Sequence, residues 1–103
     1  MRVVAKSSLV KFWGQPGYAD SQGALQSWYD EAIKANWRTP QDVKDLYSSA
    51  SICANNRVVF NIKGNDYRLV VFVAYQYQAV YVKFIGTQKE YDAIDAETVE
   101  MEV

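Results

Sequence analysis

Residues 57–71, RVVFNIKGNDYRLVV, followed by 79–87, AVYVKFIGT, and 88–92, QKEYD, decide the fold of this chain. In the first run, apolar residues at even positions alternate with Arg57 and Asn61 at odd positions. Because successive side chains of a β-strand point to opposite faces, this alternation is typical of a strand with one buried face and one polar face. The stretch as a whole predicts an antiparallel meander of three strands.

Two short turns decide which residues share a face of the predicted sheet. A two-residue turn at Gly64–Asn65 or at Asn65–Asp66 places an odd-numbered residue opposite an even-numbered one, and a similar turn is expected at Gln76–Tyr77. The polar face then holds Arg57, Asn61, Lys63, Arg68, Tyr81, Lys83 and Thr87. The apolar face holds Val58, Phe60, Ile62, Leu69, Val71, Val73, Val80, Val82 and Phe84.

The polar face of the predicted sheet carries four cations and no carboxylate. A face with this charge is suited to binding a polyanion, because clustered positive charge attracts negatively charged ligands. The alternative interpretation is an ordinary sheet face exposed to solvent.

Length and composition limit the chain to one domain and to few kinds of chemistry. With 103 residues it can bury a core without disulfides or metals. It has no histidine and a single cysteine, Cys53, so Ser-His-Asp and Cys-His catalysis are excluded and a zinc site lacks ligands. Cys53 is expected to pack rather than to react, and the chain has no Gly-rich phosphate loop. We therefore expect no metal and no cofactor.

Two features bear on the compartment of the protein. The longest apolar run, residues 69–75, is too short to cross a bilayer, and the start of the chain lacks the apolar core of a signal peptide. A lone cysteine also suits a reducing compartment. The sequence therefore predicts a cytoplasmic protein that does not enter a membrane.

Charge is divided unevenly along the chain. The first 89 residues hold all 11 bases and six of the 12 acids, whereas the remaining residues hold six acids and no base. This division predicts a basic body followed by an acidic tail. We expect a single domain at residues 1–96 and an acidic C-terminal tail at residues 97–103. The tail is either a solubilising disordered end or a segment that folds back over the cationic face or reaches a partner.

The first half of the chain is predicted to be mainly helical. A short strand at residues 2–4 precedes a helix at residues 6–13, and Asp20 is expected to cap a second helix that runs to about Asn36. Apolar residues of this helix recur at intervals of three and four, as on the buried face of an amphipathic helix. They are Leu25, Trp28, Tyr29, Ala32 and Ile33. Trp28 and Trp37 are expected to lie in the core.

A third helix and a final helical turn complete the predicted order of elements. Thr39 has the properties of an N-cap, with Pro40 at the first helical position and Asp42 near the positive end of the helix dipole. A last turn or helix is expected near residues 89–94. The order predicts an α+β fold in which helices pack on one face of an antiparallel sheet and leave the other face open.

Several spaced segments, which together extend over about residues 1–96, resemble the HigB family of type II toxin-antitoxin toxins, which is related to RelE. They are MRVVAKSSLVKFW (1–13), PGYADSQGALQSWYDEAIKANWRTPQDVK (16–44), NNRVVFNIKGNDYRLVV (55–71) and KFIGTQKEYDAID (83–95). The resemblance implies a RelE-like microbial ribonuclease fold and an endoribonuclease that cleaves mRNA on the translating ribosome. It also implies a HigA-type antitoxin with a helix-turn-helix domain, through which alone the toxin would reach operator DNA.

The implied reaction is attack of an RNA 2′-hydroxyl on the adjacent phosphorus, which requires a base, an acid and a cation for the charge on the phosphoryl oxygens. Arg68 is the first candidate for that cation, because a guanidinium binds phosphate oxygens in pairs. The expected catalytic residues are Arg68, Gln88, Tyr91 and Lys63. The expected RNA-binding residues are Arg57, Asn61, Lys83, Tyr81 and Lys89.

Residue 88 departs from the pattern of the family. Where the family has THKEYD or a close variant, this chain has TQKEYD, so Gln88 takes the place of a histidine. An amide cannot act as acid or base at ordinary pH, and the resemblance therefore predicts weakened cleavage. The explanations are a naturally weak toxin, use of Lys63, Lys89 or Tyr91 instead, or a substitution introduced so that a toxic protein could be produced.

Two other classes of function stay open at the level of sequence. The chain could serve only as the partner and co-repressor of an antitoxin, or it could be a basic RNA-binding domain without a toxic role. A gene for a short helix-turn-helix protein beside this one would favour the toxin over the RNA-binding domain.

Overall fold

A computed structural model describes residues 1–101 of the chain. Five strands and four α-helices follow one another in the order predicted from the sequence, with one additional short strand. They are β1 (Arg2–Val4), α1 (Lys6–Trp13), α2 (Gln22–Lys34), α3 (Pro40–Leu46), β2 (Ser51–Ile52), β3 (Arg57–Ile62), β4 (Tyr67–Ala74), β5 (Ala79–Thr87) and α4 (Gln88–Tyr91). Short 3-10 turns lie at Ala19–Ser21 and Tyr75–Tyr77. The predicted α+β class is confirmed.

The strands form one sheet in the order β1-β5-β4-β3-β2. Neighbours pair antiparallel except at one edge, where β1 runs parallel to β5. The expectation of an entirely antiparallel sheet is therefore wrong at this edge. The pairing joins the beginning of the chain to its last strand, with Arg2 opposite Ala79 and Val4 opposite Tyr81.

The hairpin between β3 and β4 has the register that the sequence predicts. Asn61 lies opposite Arg68, and the backbone N–H of Asp66 donates to the carbonyl oxygen of Lys63 at 3.2 Å, which places Gly64 and Asn65 at the centre of the turn. Lys63 and Gly64 both adopt a positive φ, of 52° and 64°. Glycine adopts this conformation without strain, whereas at Lys63 it turns the side chain out of the strand.

Aromatic residues between the helices and the sheet form the centre of the core. The ring of Phe60 lies 5.5 Å from that of Trp28, 6.1 Å from Trp37 and 5.0 Å from Tyr47. Both tryptophans are almost completely buried, as expected. Ile33, in contrast, is 41% exposed, so the prediction that it belongs to the buried face of α2 is wrong.

The two predicted N-caps have different outcomes. Thr39 caps α3 as expected, because its hydroxyl accepts from the N–H of Asp42 while the carboxylate of Asp42 accepts from the N–H of Thr39. Asp20 does not cap α2, whose N-cap is Ser21. The carboxylate of Asp20 instead accepts hydrogen bonds from Lys63 and Tyr67, since the 3-10 turn before α2 points it towards the sheet.

None of the helices formed by residues 1–101 combines the length and apolar character needed to span a membrane.

Candidate active site

The sheet face that lies opposite α1, α2 and α3 is built from three rows of paired residues, and the middle row joins Val59, Val70 and Phe84. Arg57, Phe72 and Tyr81 form one row, since Phe72 pairs with both of the others. Arg68 is the centre of a second row, between Asn61 on β3 and residue 86 on β5. Arg57, Asn61, Arg68 and Tyr81 therefore share this face, as predicted from alternation.

A β-bulge at Lys83 divides the face into two parts. Val71 pairs with Val82 but Val70 pairs with Phe84, so Lys83 is one extra residue in β5. Beyond an extra residue, the alternation of a strand is inverted. Phe84 therefore lies on this face rather than in the core, and Thr87 lies on the helix side opposite Tyr67. Both predictions are wrong for this single reason.

Arg68 is placed to meet an anion. Its side chain is partly buried, and its Nη1 donates to the carbonyl oxygens of Asn65 and Tyr67, each at 3.2 Å. Within residues 1–101, no carboxylate lies within ion-pair distance of this guanidinium. Carbonyl oxygens hold the group in position but do not neutralise it, so Arg68 keeps a full positive charge for a ligand.

Gly86 allows α4 to pack directly on the sheet beside Arg68. A Cβ atom at this position would lie 2.7 Å from Cζ of Phe84 and 3.2 Å from Cβ of Glu90. A capping box fixes the start of the helix, because the hydroxyl of Thr87 accepts from the N–H of Glu90 and the N–H of Thr87 donates to the Glu90 carboxylate at 2.8 Å. The predicted final helix is thus confirmed, and it begins at Gln88.

Gln88 and Tyr91 lie on this short helix. The Nε2 of Gln88 donates to Oδ1 of Asp92 at 2.7 Å, while its Oε1 is enclosed and has no hydrogen-bond partner among the described residues. The ring of Tyr91 lies 6.5 Å from that of Phe84. The Oε1 of Gln88 is therefore a buried acceptor without a donor, and a ligand can reach it only if this side chain turns outward.

Tyr91 keeps its proton at neutral pH. Burial raises the pKa of its hydroxyl, as do the neighbouring Cys53 and Asp92, whereas the charge of Arg68 acts in the opposite direction. Burial, together with Glu97 and Asp95, also raises the pKa of the Cys53 thiol, which agrees with a packing role. The site accordingly holds a phenol that can donate a hydrogen bond or a proton, and a permanent cation.

Lys63 is not part of this arrangement. Its Nζ lies 2.7 Å from the carboxylate of Asp20 and 3.8 Å from that of Asp66. The hydroxyl of Tyr67, on the helix side of the sheet, donates to the same Asp20 carboxylate. The prediction that Lys63 shares a face with Arg68 is wrong, because the left-handed backbone at Lys63 directs its side chain towards the helix side.

The Asp20 cluster makes stability depend on pH in two ranges. The hydrogen bond from Lys63 and then that from Tyr67 hold the pKa of Asp20 below its ordinary value of 3.8, so its contribution is lost as the pH falls through the acid range. The same carboxylate raises the pKa of Lys63, and raises that of Tyr67 to about 12. Lys63 and Tyr67 contribute fully to stability at a pH below their ordinary pKa values, and these contributions are lost as the pH rises through their raised pKa values.

We expect Asp20→Asn to lower the melting temperature at neutral pH. We also expect the melting temperature to change less with pH in both the acid and the alkaline range. The amide cannot change its charge. It leaves Tyr67 without a carboxylate partner and Lys63 with only the more distant carboxylate of Asp66 at 3.8 Å. Thermal denaturation followed by circular dichroism from acid to alkaline pH measures this. Asp45→Asn is the control, because Asp45 is exposed and contacts only Gln41 among side chains. A difference from the parent chain that is the same at every pH would contradict the prediction.

The C-terminal strap, residues 97–101, covers the other two predicted cations. Arg57 is only 5% exposed, and it donates to the carbonyl oxygen of Val99 at 2.5 Å and to the carboxylate of Glu100 at 3.0 Å. The same carboxylate accepts from Lys83 at 2.7 Å. The strap therefore covers both cations, the single carboxylate of Glu100 offsets only one of their two charges, and the expectation of an open face is wrong here. Residues 102 and 103 of the predicted tail lie outside the described part of the chain.

The remaining predicted RNA-binding residues lie at different places. Asn61 is partly buried opposite Arg68, and Tyr81 is partly buried with its ring 6.2 Å from that of Phe72. Lys89 is exposed on α4. The structure thus brings together Arg68, Asn61, Gln88 and Tyr91 at one end of β4 and β5.

Sequence reasoning missed two residues of this end of the sheet. Asp92 contacts Gln88, and their spacing of four residues on a helix was a usable signal. Phe84 had no such signal, because only the bulge brings it to this face. No three Asp, Glu or Cys side chains within residues 1–101 lie close enough together to hold a metal ion.

Comparison with known proteins identifies the family. A family model for the HigB toxin, described as the RelE-like toxic component of a toxin-antitoxin system, matches residues 21–94. The chain belongs to the HigB toxin family. The resemblance found in the sequence is thereby confirmed, and the matched residues include Arg68, Gln88 and Tyr91.

Curated relatives carry the same family name. The mRNA interferase toxin HigB of Escherichia coli K12 is 31% identical over 65 residues, and so is the mRNA interferase HigB of Shigella flexneri. Each alignment covers 61% of this chain and 62% of the relative, so the chain matches about three fifths of the length of these HigB proteins. The C-terminal strap lies outside the residues that the HigB family model matches.

Proposed function

We propose that this chain is the toxin of a type II toxin-antitoxin pair and that it cleaves mRNA bound to the translating ribosome in the cytoplasm. The observation that carries the proposal is Arg68, a guanidinium without a carboxylate partner within residues 1–101, held beside Tyr91. Membership of the HigB family and the names of the relatives support the choice of mRNA as substrate. The proposed partner that restrains the toxin is a HigA-type helix-turn-helix antitoxin.

In the proposed reaction, the 2′-oxygen of the RNA forms a bond to the adjacent phosphorus and the bond from phosphorus to the 5′-oxygen breaks. The products are a 2′,3′-cyclic phosphate and a 5′-hydroxyl end. Arg68 stabilises the negative charge that develops on the phosphoryl oxygens. Tyr91 donates a proton to the leaving 5′-oxygen and regains one from solvent.

Gln88 has a more limited role in this reaction. In the proposed reaction its side chain turns to expose the enclosed Oε1, which accepts a hydrogen bond from the 2′-hydroxyl and orients it, but the amide cannot remove the proton, which passes to water. The attacking hydroxyl is therefore positioned without being deprotonated by the protein. Lys89 and Asn61 are proposed to contact neighbouring phosphates and sugars by charge and hydrogen bonding.

Primer extension on a defined mRNA with purified ribosomes tests the proposal. We expect new 5′ ends that require both the chain and the ribosomes, and none on free mRNA. Equal cleavage of free mRNA would contradict the dependence on ribosomes. Intact mRNA at high concentration of the chain would contradict nuclease activity of this sequence.

A second candidate function is supported by one observation. Of the side chains gathered around Arg68, Gln88 does not ionise and the pKa of Tyr91 is raised, so neither exchanges a proton readily near neutral pH. This chemistry suits a chain that binds its antitoxin and serves as a co-repressor while cleaving weakly. Tight antitoxin binding together with intact ribosomal mRNA would favour this candidate.

A further inference from the structure

A cavity lined by aromatic side chains lies at the end of the sheet remote from Arg68. Its volume is about 610 Å³, and its walls come from β4 and the loop after it, from β5 and from the loop before β3. The residues that line it include Phe72, Tyr75, Tyr77, Tyr81, Lys83 and Asn56. Aromatic rings beside amide and ammonium groups are the combination that binds a nucleobase and its phosphate.

Tyr77 is the most exposed large apolar residue of this end. Its side chain lies in the 3-10 turn between β4 and β5 and is 78% exposed, so its ring is available to a ligand and contributes little to the core. Tyr81 and Phe72 provide a second aromatic wall, with ring centres 6.2 Å apart. Stacking on such rings tolerates any base, because every base has an aromatic face.

An anion-binding position, formed by Arg57 and Lys83 and called the anion seat, adjoins the cavity. Lys83 lines the cavity and also holds the carboxylate of Glu100, which Arg57 binds from the other side at 3.0 Å. Nε of the buried Arg57 has no acceptor among the described residues. A phosphate offers more acceptor oxygens than the carboxylate does, and it can use both donors of a guanidinium edge.

An anionic ligand can replace the carboxylate of Glu100 between Arg57 and Lys83. The side chain of Glu100 is 63% exposed, whereas those of Arg57 and Lys83 are 6% and 23% exposed, so solvent and salt reach these ion pairs from the Glu100 side. The neighbouring cations hold the pKa of Glu100 below its ordinary value, with the Lys83 hydrogen bond as the largest cause, so Glu100 is charged at neutral pH. An anionic ligand must therefore compete with this carboxylate.

We propose that this end of the sheet is a nucleotide subsite for the RNA strand, with a base stacked on Tyr77 and Tyr81 and its phosphate in the place of the Glu100 carboxylate between Arg57 and Lys83. The inference rests on the proposed function, because it is the same RNA strand that reaches Arg68 farther along β4. Glu100 is then an internal competitor for a phosphate. The cavity favours RNA over an acidic peptide, which would use the cations but not the stacked rings.

Direct binding of a short RNA tests the subsite without ribosomes. The probe is fluorescein-labelled hexauridylate, and anisotropy is measured at several salt concentrations. Tyr77→Ala is expected to weaken binding by about 5- to 100-fold, the range found when one stacking ring is removed. Glu100→Gln is expected to tighten binding by about two- to tenfold, since it removes the carboxylate that competes for Arg57 and Lys83.

Matched variants separate these effects from general changes in surface and charge. Leu46→Ala removes an exposed apolar side chain from α3, and Asp45→Asn removes one negative charge from the same helix. Neither is expected to change binding. Lys83→Gln is expected to reduce the dependence of RNA affinity on salt by the amount that corresponds to about one phosphate contact. It is also expected to abolish the increase in affinity that Glu100→Gln produces.

The outcomes distinguish this inference from the proposed function. Unchanged binding by Tyr77→Ala or by Glu100→Gln, or no binding of hexauridylate to any variant, overturns the subsite even if ribosomal mRNA is cleaved. Binding of hexaglutamate in place of hexauridylate, with the same dependence on Tyr77, would assign the surface to an acidic peptide instead. If the expected binding is found while ribosomal mRNA stays intact, the subsite stands and the nuclease proposal fails.

Discussion

Arg68→Ala is expected to reduce ribosome-dependent mRNA cleavage by about 10²- to 10³-fold, the usual effect of removing one group that stabilises the charge of a transition state. Arg68 contacts only the carbonyl oxygens of Asn65 and Tyr67, and no carboxylate within the described residues pairs with it. Its charge is therefore available to the substrate. Primer extension time courses with purified ribosomes measure the rate.

The fold of the Arg68→Ala variant should persist. The side chain is only partly buried, so the free energy of unfolding should change by about 1 kcal/mol or less. Arg38→Ala, at an exposed arginine before α3, is the control for loss of a positive charge. If the parent chain cleaves too slowly to follow, the comparison is made with Gln88→His present in both chains. Cleavage by Arg68→Ala as fast as by its parent would remove Arg68 from the mechanism.

Gln88→His is expected to raise mRNA cleavage by about 10²- to 10⁴-fold, the usual contribution of a general acid or base. A histidine at the start of α4 has Asp92 one turn away, where the amide of Gln88 now donates at 2.7 Å. One ring N–H can donate to that carboxylate, which leaves the other nitrogen to face the substrate. The carboxylate also raises the pKa of the imidazole.

The pH profile of the Gln88→His variant shows how the histidine acts. Cleavage that increases as the pH rises through the imidazole pKa indicates a base, and cleavage that decreases indicates an acid. Gln88→Asn is the control, because it keeps an amide and adds no titrating group. Unchanged cleavage and unchanged growth inhibition would exclude Gln88 as the cause of any weakness.

Sequence reasoning succeeded where structure depends on local physical chemistry. The bounds of β1 and α1, the capping box of Thr39 and the turn at Gly64–Asn65 all follow from residue types and spacing over a few positions. The same alternation placed Arg68 beside Asn61 on the correct face. Each of these features is decided by neighbours within one or two turns of the chain.

The errors arose where distant residues or one irregularity decide the structure. The bulge at Lys83 has no signal in a run of alternating residues, yet it changes the face of every residue after it. Arg57 is covered by residues 42 and 43 positions away, which alternation along a strand cannot reveal. Lys63 has a backbone conformation that is uncommon for a residue with a side chain.

The pairing of β1 with β5 has a consequence for the synthesis of the protein. Residues 2–4 have no strand partner until residues 79–81 have been made, and Tyr91 follows ten residues later. Contacts between residues this far apart in the chain form late in folding. A growing chain therefore exposes an incomplete sheet until residues 79–91 have been made, and Arg68 meets Tyr91 only after that. The candidate site therefore does not exist until the ribosome has made the segment that carries β5 and α4.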